Sequence, residues 1–313
     1  MTPQDIRTVF MGTPEFAVGT LQGLIDAGAD LCGVYTQPDR PKGRGNKLAA
    51  PPVKELAQKY DIPVFQPTRL RNPEAVEELA ALKPDLIVVV AYGQILPQSV
   101  LDIPKYGCIN VHASLLPKYR GAAPINKVIV DGESESGITT MVMDAGLDTG
   151  DMLVKRSLVI GEDETAGQLH DRMAVLGRET MEETLQLLCA GELTPDKQDD
   201  SLTCYAPMMK KEDGLIDWQQ PARTVHNLVR GLAPWPGAYT SLDGEVLKLA
   251  ETSVDETLSG QAGTVLAADN DGVRIACGDG ALVVGRLQLP GKKMLAVADF
   301  LRGRSLPAGT TLE

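Results

Sequence analysis

Asn110-Val-His-Ala-Ser-Leu-Leu-Pro-Lys-Tyr-Arg120, followed by Gly-Ala-Ala-Pro124, organises the reading of this chain. Cys108–His112 reads as a short strand. Residues two apart in a strand point to the same face, so the Asn110 amide and the His112 imidazole lie side by side. A loop interrupted by Pro117 and Gly121 comes next, with backbone groups free to hold a ligand. His112 is one of only three histidines. It stands at the exit of a strand, and open α/β sheets bind their ligands at that end. A lone histidine in a turn is more often a hydrogen-bonded structural residue; the neighbouring amide gives this one a functional reading.

The sequence around this stretch alternates strand and helix, the pattern of an α/β domain built on a mostly parallel sheet. Strands are expected at Arg7–Met11, Leu31–Thr36, Pro63–Gln66, Leu86–Ala91, Cys108–His112, Ile138–Met143 and Met152–Ile160. Helices are expected from Thr13-Pro14-Glu15 to Ala27, over Pro52–Tyr60 and Pro73–Leu82, and along the amphipathic run Thr165–Cys189. In the first of them Thr13 reads as the N-cap and Pro14 as the first helical residue, with Gly28 ending the helix. Gln37–Ala50, rich in Pro, Gly, Arg and Lys, reads as a long loop. Connections of that length inside compact domains tend to be functional or mobile.

Past Ala190 the pattern changes. Gly191–Met208 is polar and irregular, as a linker is. Ala238–Leu242, Glu245–Thr252, Gly263–Ala267, Gly272–Ala276 and Ala281–Leu289 then read as short strands. Turn signals such as Asp243-Gly244, Asn270-Asp271-Gly272 and Asp279-Gly280 separate them. They predict a small β-barrel of the oligonucleotide-binding (OB) type. The expected organisation is therefore a Rossmann-like α/β catalytic domain over 1–190, a linker over 191–208 and a β-barrel over 209–313.

Composition removes several function classes. At 313 residues the chain is long for one core and comfortable for two. No apolar run approaches the roughly 18 residues of a membrane span, and the N-terminus lacks the basic segment and apolar core of a signal peptide; a cytoplasmic protein is expected. Five cysteines, odd in number and without a CxxC pair, read as free thiols. With no HExxH either, no metal is expected. A net charge of −12 argues against chain-wide binding to nucleic acid. The excess is local, however. Within Gln37–Ala50, Arg40, Lys42, Arg44 and Lys47 meet only Asp39, and the chain from Met209 onward carries 11 basic against 13 acidic residues. A basic loop on an acidic body suits a localised anionic partner.

The first strand-to-helix turn, Gly12-Thr-Pro-Glu-Phe-Ala17, is not GxGxxG, and no GxxxxGK[ST] loop exists. Nicotinamide binding and phosphoryl transfer from a nucleotide are thus unsupported. Asp144-Ala-Gly-Leu-Asp148-Thr-Gly-Asp151 follows an apolar strand. Acidic turns of this kind are common. If that strand neighbours Cys108–His112, though, Asp148 can reach His112, and a carboxylate beside an imidazole sets its tautomer and basicity.

Asn110-Val-His112, Ser114-Leu-Leu-Pro-Lys-Tyr-Arg-Gly-Ala-Ala-Pro124 and the Asp148-Thr-Gly-Asp151 turn together resemble the signature of the folate-dependent formyltransferases. The resemblance extends to Val9-Phe-Met-Gly-Thr-Pro-Glu-Phe16, to Gln37-Pro-Asp-Arg-Pro-Lys-Gly-Arg-Gly-Asn-Lys47, and to Ile216-Asp-Trp218 and Pro234-Trp-Pro-Gly237. It covers nearly the whole chain. The basic loop and the C-terminal barrel point to the branch of the family that acts on a tRNA. Tyr119 stands where the family often has Trp.

The resemblance implies transfer of a formyl group from 10-formyltetrahydrofolate to the α-amine of methionyl initiator tRNA, for translation initiation. An amine attacking an amide-like carbonyl passes through a tetrahedral species with charge on oxygen, which calls for donors aimed at that oxygen and a base for the amine proton. By the family pattern Asn110 and His112 are the donors, while Asp148 orients the histidine and takes part in proton transfer. The folate would lie along Ser114, Leu115, Leu116 and Pro117. Arg40, Lys42, Arg44 and Lys47 would meet the tRNA acceptor end, and the protein would act as a monomer. Other readings stay open at this point. The same fold could formylate glycinamide ribonucleotide or an amino-sugar nucleotide, could hydrolyse formyl-folate, or could serve as an inactive RNA-binding scaffold.

Overall fold

Apolar runs too short for buried helices pair instead into one large sheet. In chain order the strands of the first part are β1 (Arg7–Gly12), β2 (Asp30–Tyr35), β3 (Arg40–Lys42), β4 (Lys47–Ala49), β5 (Val64–Phe65), β6 (Leu86–Val90), β7 (Cys108–His112), β8 (Arg120–Gly121), β9 (Glu135–Val142) and β10 (Met152–Val159). Seven of them form a sheet of order β10-β9-β7-β6-β1-β2-β5. β1 runs parallel to β2 and β6, β2 to β5 and β6 to β7, whereas β9 is antiparallel to β7. β6 reads Leu-Ile-Val-Val-Val and is buried throughout, as a central parallel strand covered on both faces must be. The computed structural model describes residues 1–42 and 47–313, with Lys42 and Lys47 described as backbone only.

The helices are α1 (Glu15–Asp26), α2 (Pro52–Lys59), α3 (Pro73–Ala81), α4 (Gln98–Leu101), α5 (Pro124–Val130), α6 (Ala166–Ala190), α7 (Ala222–Gly231) and α8 (Val297–Gly303). From β1 the chain winds outward through β2 to β5 and then returns to β6 on the other side of β1. The crevice outside the carboxyl ends of β1 and β6 is therefore the switch point where such sheets bind ligands. One expectation fails at this place. Thr13 does not cap α1, which begins after Pro14 without a side-chain cap. Its hydroxyl donates instead to the Tyr92 carbonyl at 2.9 Å, bridging the exits of β1 and β6.

The stretch read as a loop, Gln37–Ala50, contains an antiparallel pair, β3 with β4, in which Arg40 lies opposite Ala49. Its base is anchored by polar contacts. Lys54 Nζ lies 2.8 Å from Asp39 and 2.9 Å from Gln66, and Gln66 Nε2 donates to the Gln37 carbonyl at 2.9 Å. Alternating Pro and charged residues hide so short a hairpin from any pattern of periodicity.

The chain forms two compact units. The first comprises Met1–Gly121, Gly137–Leu158 and His170–Tyr205; the second comprises Ala122–Ser136, Val159–Leu169 and Ala206–Glu313. In the second unit α5 packs on α7, with Asn126 Nδ2 donating to the Gly231 carbonyl at 2.8 Å. After the two-residue strand β11 (Tyr205–Ala206) come β12 (Tyr239–Leu242), β13 (Glu245–Asp255), β14 (Val265–Asp269), β15 (Gly272–Ala276), β16 (Ala281–Gln288) and β17 (Leu295–Ala296). They form an antiparallel sheet of order β12-β13-β16-β15-β14, with β17 beside β16. The final residues join its two edges. Gly309 donates to Val265 of β14 and Leu312 to Gly263 just before it, each at 2.8 Å. Glu313 and Ser241 of β12 exchange bonds of 3.0 and 2.6 Å. The core inside is apolar and includes Trp218, whose Nε1 donates to Thr240 at 2.9 Å. Among the described residues no helix is long and apolar enough to cross a membrane, and no cluster of His, Cys, Asp or Glu is arranged to hold a metal ion.

Candidate active site

β7 carries the site because its alternation is out of the ordinary. Cys108, Asn110 and His112 share one face; Ile109 and Val111 take the other. Cys108 belongs to the apolar core beside Ile87 and Val89, and burial pushes its thiol up to about 12, so it is no nucleophile at neutral pH. Asn110 follows, paired in register between Val89 and Met141. It is half-buried, and among the described residues its amide has no hydrogen-bond partner. His112, 6% exposed, closes the strand opposite Thr139.

Two loops converge on His112. Its Nε2 lies 3.1 Å from the Tyr119 carbonyl, which can only accept, so the ring proton sits on Nε2. Nδ1 faces Asp148, 3.7 Å from Oδ2. The same Oδ2 accepts the Gly121 N–H at 2.8 Å. Asp148 has φ +53°, a left-handed conformation that the tight turn after β9 imposes on it. Since β9 pairs directly with β7, the sequence expectation that a carboxylate reaches the imidazole holds in the geometry.

Between His112 and Asp148 in the chain, Ser114–Pro117 is pinned from below. Thr139 Oγ1 donates to the Ser114 carbonyl at 2.7 Å and accepts the Leu116 N–H at 3.1 Å. Ser114 Oγ donates to the Lys118 carbonyl at 2.7 Å, and Lys155 Nζ donates to the Leu116 carbonyl at 2.6 Å. The Leu116 side chain is fully buried against Met141 and Met152. Leu115 and Pro117 remain half-exposed. Of the basic residues, Arg40 donates to Gln37 Oε1 at 3.3 Å. Together with Thr13, Gln37 and Pro41 it lines an open cleft of about 250 Å³ at the switch point. Lys42 and Lys47 end β3 and begin β4; Arg44 lies outside the described residues.

A donor amide, an imidazole of defined tautomer and a carboxylate thus meet at the carboxyl edge of the parallel strands of a mostly parallel sheet. Residues 6–185 match the formyl transferase family and residues 208–305 its C-terminal domain.

The chain belongs to the formyl transferase family.

Relatives of this formyl transferase include a methionyl-tRNA formyltransferase of Geobacter sulfurreducens, 61% identical over 308 residues, covering 98% of this chain and 96% of that protein. Solved structures share the fold. An N-formyltransferase from Helicobacter canadensis, in complex with folinic acid and dTDP-3-aminofucose, aligns with a TM-score of 0.70 at 19% identity, over 89% of this chain and 98% of that one. HypX from Aquifex aeolicus, in complex with tetrahydrofolic acid, aligns with a TM-score of 0.64 at 21% identity, over 95% of this chain and 47% of its own.

Sequence reasoning missed the residues that hold the site in place. The Tyr119 carbonyl is backbone, and no side-chain pattern reveals it. Thr139 reads as one more β-branched strand residue. Arg120 was visible as part of the loop, but its partner Gln198 lies in the stretch read as a linker.

Proposed function

We propose that this protein transfers the formyl group of 10-formyltetrahydrofolate to the α-amino group of methionyl initiator tRNA. The observation that carries the chemistry is the Asn110 amide, without a hydrogen-bond partner among the described residues, beside the His112–Asp148 pair at the sheet's carboxyl edge. The choice of acceptor is supported by full-length relatives named methionyl-tRNA formyltransferase. It is supported as well by the basic residues of β3 and β4, which suit a phosphate backbone.

These residues fit a folate: the Asn110 amide and the half-exposed Leu115 and Pro117 border the same edge, with Ser114 and Leu116 shaping the segment beneath. The bound folate supplies the formyl carbon at N10. Asn110 donates to the formyl oxygen as charge builds on it, which is where a pre-positioned donor is worth most. His112 keeps its Nε2 proton on the Tyr119 carbonyl and exchanges a proton through Nδ1. Neutral, Nδ1 accepts the proton of the attacking amine; protonated, it returns that proton, by way of the oxygen, to N10 as the C–N10 bond breaks and tetrahydrofolate leaves. Asp148 provides the negative charge that stabilises the imidazolium.

In this reading residues 1–190 carry the chemistry, 191–208 link, and 209–313 hold the tRNA. Arg40, Lys42, Arg44 and Lys47 engage its acceptor end, and the protein works in the cytoplasm as a monomer. The test is Asn110→Ala. Loss of an oxyanion donor should lower kcat by roughly 10²–10³ with folate affinity nearly unchanged; normal turnover, or a defect confined to folate binding, would overturn Asn110's role.

A further inference from the structure

Gln198 lies in the stretch that reads as a linker, yet its side chain ties together the two loops that carry the site. Arg120, its side chain only 3% exposed, donates to Gln198 Oε1 from Nε at 3.0 Å and from a terminal nitrogen at 2.8 Å. The same terminal nitrogen meets Asp200 at 2.8 Å. A guanidinium has donors and no acceptor, so the oxygen of the Gln198 amide must be the end that faces it. The amide nitrogen then faces the other way. It donates to the carbonyls of Asp148 at 2.8 Å and Gly150 at 2.7 Å.

Those two carbonyls flank Thr149, in a turn that needs holding. Asp148 is left-handed at φ +53°, which a non-glycine residue keeps only where its surroundings impose it. Gly150 lies so tight against β9 that a Cβ there would stand 1.7 Å from the Val142 carbonyl oxygen. The Asp148 carboxylate leaves this turn toward the Gly121 N–H and His112 Nδ1. One side chain, oriented by a buried arginine, therefore holds both backbone carbonyls of the turn that carries the carboxylate.

We infer that Gln198 is a positioning residue for formyl transfer, clamping the Asp148–Gly150 turn so that Asp148 meets His112. This rests on the role proposed above for the Asp148–His112 pair. Among the described residues the Arg120 side chain makes no hydrogen bond to the turn; it selects which end of the glutamine amide does.

The experiment compares full-length wild type, Gln198→Ala, Gln198→Glu, Asp148→Asn and the Gln198→Ala/Asp148→Asn double variant. Each is assayed for kcat and KM with 10-formyltetrahydrofolate and methionyl-tRNA, and for thermal unfolding. A displacement of order 1 Å at a reacting group costs about 10²-fold. Gln198→Ala should therefore lower kcat by about 10- to 100-fold while both KM values stay within about threefold. Gln198→Glu keeps an acceptor for Arg120 and loses both donors, so it should still match the kcat loss of alanine, while its charge pair with Arg120 offsets part of what the two unbonded carbonyls cost in melting temperature. Should the alanine variant fold poorly, the glutamate variant decides. In the double variant, kcat should fall no further than in Asp148→Asn alone, because both changes disable one device. Wild-type kcat in Gln198→Glu, or losses that multiply in the double variant, overturns the clamp. Normal kcat in Asp148→Asn instead overturns the role of the pair, and the clamp with it.

Discussion

Thr139→Val isolates what holds the segment after His112. Thr139 is fully buried on β9, and valine matches its volume, so packing changes little. What disappears is one hydroxyl that serves two backbone groups, the Leu116 N–H at 3.1 Å and the Ser114 carbonyl at 2.7 Å. Each loses a bond where water does not replace it, and a buried unsatisfied polar group costs about 1–3 kcal/mol. The sum is about 2–6 kcal/mol, or a fall in Tm of roughly 3–9 °C for a protein of this size. Thr8→Val is the control. Thr8 is also buried, but its hydroxyl serves a single carbonyl, that of Ile6, at 3.0 Å. Urea unfolding of both variants should show Thr139→Val losing at least twice what Thr8→Val loses. Its KM for the folate should also rise as Leu115 and Pro117 lose their support. A loss below about 0.5 kcal/mol, or one equal to that of Thr8→Val, would refute the reasoning.

Three further expectations follow from other parts of the molecule. Gly150→Ala should lower kcat more than tenfold, because a Cβ 1.7 Å from the Val142 carbonyl oxygen forces the Asp148 turn off β9; wild-type kinetics would show the turn to be tolerant. His226, 1% exposed and bonded to Thr252 at 2.9 Å, has its basicity lowered chiefly by burial, and by Arg230 against the opposing pull of the Glu162 carbonyl and Asp163. A depressed imidazole favours the neutral folded form, so its contribution is complete above the ordinary value of about 6.5 and is lost as pH falls toward the depressed one. His226→Gln should flatten the fall in stability as pH drops below about 6.5, and an unchanged slope would contradict this. If the β3–β4 hairpin and the C-terminal unit neutralise about four phosphates, tRNA affinity should fall with salt at a log–log slope near −3 to −4, and a flat profile would rule out a phosphate-driven contact.

The strands were legible because burial on both faces writes continuous apolar runs, as in Leu86–Val90, and β7 appears with the bounds its residues imply. The pairing of Asn110 with His112 follows from strand alternation alone, and their meeting with Asp148 needed only that two strong strands be neighbours. Short elements left less trace. α5 is only seven residues long and α7 ten, and the β3–β4 hairpin alternates no apolar residues. The supports of the site were hidden for a different reason. Tyr119 acts through its carbonyl, Thr139 through a hydroxyl that any strand threonine possesses, and Gln198 across about fifty residues of chain from the turn it holds. Only three-dimensional proximity distinguishes such residues from their neighbours.

The most direct measurement is formyl transfer itself. Wild-type protein is incubated with 10-formyltetrahydrofolate and methionyl initiator tRNA, beside a reaction without tRNA and one with an amino-sugar nucleotide as acceptor. Formylmethionyl-tRNA should form, and folate should be consumed only when the charged tRNA is present. Consumption of folate without tRNA, preference for the sugar, or no turnover at all would contradict the assigned function.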